Sequence, residues 1–117
     1  MAYARAKKNY VNILEGREKA DVDDIMKNYP DGIHITGCAK VKGKNGYVGA
    51  FIFKENEKAF FFGGKVLTEM IDEWISEEGN GDINKLNEKL PVDMPVMKLM
   101  WDKSNSGNRY LNCEVIG

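Results

Sequence analysis

Apolar and polar residues alternate over residues 33–41, where Ile33, Ile35, Ala39 and Val41 stand against His34, Thr36, Cys38 and Lys40. That is the period of a half-buried strand. Gly37 in mid-run predicts a bulge or a sharp bend. Residues 47–53 (YVGAFIF) and 58–62 (KAFFF) are apolar on both faces and predict two more strands. The lysine-rich tip at 42–46, ending Asn-Gly, joins the first pair as a hairpin loop, and the polar turn at 54–57 joins the second. Gly63-Gly64 stops the third strand in a turn with positive φ. The period then changes. Val66, Leu67, Met70, Ile71, Trp74 and Ile75 form one broad apolar stripe, which predicts a helix over 65–77. Asp82 caps a shorter amphipathic helix at 83–90, after which Pro91 and Pro95 bracket an extended connection. Strands follow at 96–101 and 109–116, separated by the polar loop DKSNSGN. Ahead of all this, helical spacing appears at 3–14, stopped by Gly16, and at 21–29, capped by Asp21 and broken by Pro30-Asp31-Gly32.

The order after the N-terminal helices is strand, strand, strand, helix, strand, strand. A mainly β protein with helices (α+β) in that order predicts a five-stranded OB-fold, a partly open Greek-key barrel with its helix between strands three and four. Another small α+β sheet packed on helices has the same order. The expected organisation is a single domain over 1–117, with a helical N-terminal extension at 1–30 and the OB-like barrel at 31–117.

The chain has 117 residues, 43% hydrophobic and 30% charged, enough for a packed core. Its formal net charge is -1, so a polyanion is attracted only where Lys and Arg cluster locally. The N-terminal stretch, with Arg5, Lys7, Lys8, Arg17 and Lys19, is the most basic part. No apolar run suits a signal peptide or a membrane span, so a soluble, cytoplasmic protein without a membrane partner is expected. Cys38 and Cys113 sit in alternating apolar runs and read as small buried hydrophobes. With His34 as the sole histidine they make a poor metal set. No nucleophile motif accompanies that histidine, so neither an enzyme nor a cofactor is expected.

Three pieces, YPDGIHITGCAKV, KAFFFGGKVLTEMIDEW and KSNSGNRYLNCEVI, resemble small single-stranded DNA-binding proteins of the OB type from phages and mobile elements of Gram-positive bacteria. The resemblance covers most of the chain from about Asp21 onward. It implies an accessory protein of replication or recombination that coats single strands, with replication and recombination proteins as further partners. It supplies no catalytic residue. The chain departs from cellular single-strand binders in having no long disordered tail with an acidic tip.

Sequence-tolerant binding of a single strand needs aromatic faces for the bases and a basic groove for the phosphates. In an OB-fold the second and third strands and two flanking loops make that surface. The expected platforms are Tyr47, Phe51 and Phe53, with Tyr110 on the closing hairpin. The expected phosphate partners are Lys40, Lys42, Lys44, Lys98, Lys103 and Arg109, converging from three segments. Alternation alone does not decide which face of the second and third strands is core. Trp101, in phase with Met97 and Leu99, reads as core. The aromatic content leaves room for a homodimer. A second reading is a phage-encoded, protein-binding inhibitor of a host defence system, in which Glu69, Asp72, Glu73 and Glu77 mimic a nucleic acid.

Overall fold

The computed structural model describes residues 12–116 as a mixed α+β fold, one open six-stranded sheet with three helices. After a 3-10 turn at Asn12–Leu14, β1 is Glu18–Lys19 and α1 is Val22–Asn28. β2 (Ile33–Gly43), β3 (Gly46–Phe53) and β4 (Ala59–Phe62) form a meander, with a 3-10 turn at Lys54–Asn56 between the last two. α2 (Gly64–Glu78) and α3 (Ile83–Asp93) precede the closing hairpin of β5 (Val96–Lys103) and β6 (Arg109–Ile116). The order across the sheet is β1-β4-β3-β2-β5-β6. No helix among the described residues is long and apolar enough to cross a membrane.

The expected helix at 3–14 lies largely outside the described residues. The next stretch departs from a purely helical extension. Glu18 and Lys19 pair in parallel with Ala59 and Phe60, so the N-terminal part adds a strand to the sheet. Backbone bonds Glu18 N–H to Lys58 O at 2.8 Å and Ala20 N–H to Phe60 O at 2.7 Å hold it along the outer edge of β4.

β2 contains the irregularity that Gly37 predicted. Ile35 pairs with Phe53 but Gly37 pairs with Ile52, so Thr36 is an extra residue. One extra residue turns every later side chain to the other face. Ile33 and Ile35 enter the core before the bulge, and Cys38 enters it afterwards, opposite Phe51. Ala39 and Val41, expected to share the face of Ile33, therefore lie on the other side. Lys40 and Lys42 follow Cys38 onto the face that α2 covers.

α2 packs its predicted stripe on β3, burying Leu67 and Ile71 completely, with Val66, Met70, Trp74 and Ile75 partly covered. Each full burial of such a side chain contributes about 1.5–3 kcal/mol. The helix approaches so closely that a Cβ on Gly49 would lie 2.5 Å from Ile71 Cδ1, and the Gly49 N–H donates to Thr68 Oγ1 at 2.7 Å. Gly64 has the predicted positive φ, +72°. Asp21 and Asp82 cap α1 and α3, each accepting at 2.9 Å from the N–H two residues on. α3 runs past the expected stop at Leu90, through Pro91 to Asp93. Pro91 forfeits one helical hydrogen bond near the end, while the buried Leu86 and Leu90 hold the helix on the core. Its Asn87 bonds both backbone groups of Cys38, Oδ1 accepting from N–H and Nδ2 donating to O, each at 2.9 Å.

Candidate nucleic-acid interface

The β5–β6 hairpin crosses the sheet at a short contact. Only Ile33↔Met97 and His34↔Val96 join β2 to β5, and the two strands run antiparallel. They therefore leave that contact in opposite directions. Lys40, Lys42 and Lys44 go one way with the end of β2 and its loop. Lys103 and Arg109 go the other way with the hairpin tip. The expected single basic groove is not assembled from these residues.

Phe51 and Phe53 are corrected in the same way. They are 0% and 1% exposed, and both rings pack on Phe61, with centroids at 5.3 and 5.9 Å. α2 covers their face of β3, so they are core and offer no ring to a base. Tyr47, farther along that face, is 50% exposed. Lys40 Nζ lies 5.5 Å from its ring centroid and pairs with Asp72 Oδ1 of α2 at 2.5 Å. That pair neutralises Lys40 and sets Tyr47 beside the acidic helix. Lys42 and Lys44 are exposed.

On the closing hairpin the register separates residues that were expected together. Trp101 pairs with Leu111 and Lys103 with Arg109 on one face, and Lys98 pairs with Glu114 and Asp102 with Tyr110 on the other. Lys98 and Tyr110 therefore turn away from Lys103 and Arg109. Tyr110 is half-buried, its hydroxyl donating to Asp102 Oδ2 at 3.4 Å.

The face with Trp101 overlooks a groove of about 520 Å³ between the two ends of the sheet. One wall carries Trp101, 37% exposed, with the Arg109 guanidinium carbon 4.0 Å from its ring centroid. The other carries Phe62, with Lys19 Nζ at 5.4 Å from its ring centroid. On each wall a cation thus lies over an aromatic ring. Asp21 and Asp23 line the groove where α1 begins, and both are engaged. Asp21 is the helix cap, and Asp23 Oδ1 accepts from Trp101 Nε1–H at 2.6 Å.

The sequence pattern places Trp101 with the core and does not single out Phe62, and it marks Lys19 only as part of the basic N-terminal stretch. Trp101 keeps the phase of Met97 and Leu99, but β5 continues beyond the core it shares with β2. The signal available was its place directly before the polar loop, with Arg109 directly after it. Nothing in the pattern marks Lys19 and Phe62 as neighbours, because they meet only through the pairing of β1 with β4.

One further charged pair lies away from the groove. Glu55, in the turn before β4, accepts from the His34 backbone N–H at 2.8 Å, and its second oxygen lies 2.6 Å from His34 Nδ1. Partial burial pushes the Glu55 carboxyl up, but the hydrogen bonds from His34 and the charge on its ring outweigh it, leaving the group below its ordinary 4.5. A carboxyl lowered in the fold stabilises it above the ordinary value and loses that contribution as pH falls through the lowered one. The melting temperature of the wild type should therefore exceed that of Glu55→Gln at neutral pH, and the gap should narrow as pH is taken below 4.5. A gap independent of pH would show that the ionisation of Glu55 adds nothing to stability. Cys38 and Cys113 are free thiols, and burial pushes Cys38 up to about 12.

Compared with family models, curated proteins and solved structures, the chain matches none.

Proposed function

We propose that the protein binds single-stranded DNA without sequence preference, as a phage or mobile-element accessory of replication or recombination, and that the groove between β1–β4 and the hairpin tip is its contact site. The observation that carries this reading is the pair of facing walls, each with an aromatic ring beside a cation: Trp101 with Arg109, Phe62 with Lys19. Stacking on such rings tolerates any base, and the cations meet the phosphates. Lys103, at the hairpin tip in register with Arg109, extends the basic side. Asp21 and Asp23 restrict the phosphates to that side. The strand order β4-β3-β2-β5-β6 supports an OB-type architecture, with β1 on the edge where β4 would otherwise meet β6.

Titration of labelled oligo-dT and of duplex DNA at several salt concentrations tests this. The single strand should bind more tightly than the duplex, and more weakly as salt rises. Removing the Arg109 charge (Arg109→Gln) should reduce the logarithmic salt slope by about 0.7, one phosphate contact on a single strand. Trp101→Ala should cost ~1–3 kcal/mol of binding. Absence of binding even at low salt would overturn the proposal. It would favour the protein-binding inhibitor, for which the exposed Glu69, Glu73 and Glu77 on α2 are the relevant observation.

A further inference from the structure

A second groove, of about 250 Å³, lies at the base of the closing hairpin, between α2, α3 and β6. Its apolar lining comes from Trp74, Leu86, Leu90, Pro95 and Val115. Among the described residues its rim is acidic: Glu77, Glu78 and Asp93, against one cation, Lys89. Lys89 is already paired with Glu78 at 3.6 Å, which among the described residues leaves Glu77 and Asp93 without a compensating charge on the rim. β6 runs into this groove through Val115 and is the last strand of the sheet. Val115 and the next residue, Ile116, are 42% and 48% exposed, two of the few large apolar side chains left open to solvent.

The chemistry of the rim selects the occupant. A nucleic acid is repelled by it. A second copy seated through a two-fold axis would bring Glu77 and Asp93 of both copies to one face, like charge against like charge. We infer that this groove docks an extended segment of a partner protein in which an apolar anchor residue is flanked by Lys or Arg. The anchor fills the space over Leu86, Leu90 and Val115, and the flanking cations meet Glu77 and Asp93. An apolar pocket with a charged rim is the usual division of labour in such contacts, the centre giving affinity and the rim specificity. The inference is independent of the nucleic-acid reading, since it uses a different surface with the opposite charge.

Fluorescence anisotropy with a labelled short peptide, a central Leu-Phe pair flanked by lysines, tests it directly. The same peptide with Glu in place of Lys is the control. The lysine peptide should bind and the glutamate peptide should not. The double variant Glu77→Lys/Asp93→Lys should weaken binding about tenfold or more, and Val115→Ser should also weaken it, with the melting temperatures of the variants unchanged. Glu69→Lys/Glu73→Lys, which alters the same helix outside the groove, should leave the affinity as it is. Equal loss in that variant would mean unspecific attraction to an acidic helix and would overturn the inference. So would a failure of the lysine peptide to bind at low salt. A concentration-dependent dimer dissociated by the peptide would overturn it in favour of a second copy. Oligo-dT should not displace the peptide, and displacement would also overturn it.

Discussion

Replacing Phe51 with alanine should lower stability by about 3–5 kcal/mol, read as a shift of the urea midpoint at unchanged slope. The ring is fully buried, stacked on Phe61 at 5.3 Å and 19°, and met edge-on by Trp74 at 6.3 Å and 85°. Its surroundings cannot close over a vacancy. β3 is held between β2 and β4, and the close approach of α2 at Gly49 and Gly63 fixes the helix on the strand. The cavity term should therefore persist on top of the lost transfer energy. Tyr47→Ala, four residues away on the same face, removes a half-exposed ring and should cost under about 1 kcal/mol. If the two variants were equally stable, the assignment of Phe51 to the core would fail.

Asn87→Leu should be the next most damaging change, at about 2–4 kcal/mol. The mutant side chain keeps the volume but abandons two backbone groups, the N–H and C=O of Cys38. Cys38 is completely buried, so water does not take over either bond, and each unsatisfied group costs about 1–3 kcal/mol. The amide here does the work of a neighbouring strand. β5 pairs with β2 only at Ile33 and His34, and from Cys38 onward α3 stands where a strand would be. Asn87→Asp should retain part of the stability, because its carboxylate still accepts from the Cys38 N–H while facing the carbonyl without a donor. Chemical denaturation of the three proteins gives the comparison. Equal stability of wild type and Asn87→Leu would mean that the Cys38 groups find other partners.

Much of the element order was legible because it rests on local periodicity: the α2 stripe, the Asp21 and Asp82 caps, and the Gly37 irregularity. What the pattern could not carry was the consequence of that irregularity. A bulge is visible as a glycine, but whether the phase turns over after it depends on pairing with β3. The turnover put Cys38 in the core, and Lys40 beside Asp72. β1 was invisible for a different reason. A pair of polar residues, Glu18 and Lys19, has no strand period, and it is a strand only because the edge of β4 was available. The candidate groove was legible in kind, as aromatic rings with cations, and in two of its residues, Lys103 and Arg109. Phe51 and Phe53, expected as platforms, are core, and Lys40, Lys42 and Lys44 leave the β2–β5 contact in the direction away from the hairpin tip. A run such as AFIF or AFFF carries rings on both faces, and only the packing of α2 decides which face is closed.

The short pairing of β1 with β4 has a mechanical side. It occupies the edge of β4, so the seam between the two ends of the sheet is not stitched by backbone hydrogen bonds among the described residues. The hairpin is attached to the rest of the sheet by two residue pairs at its base, where Cys113 also touches Met70 of α2. Beyond that base the buried Leu99 and Leu111 still pack it into the core. Among the described residues one side-chain hydrogen bond, from Trp101 to Asp23, ties its far half to the body. The width of the gap is therefore set by side-chain packing and by the Trp101–Asp23 bond, and not by a ladder of backbone hydrogen bonds.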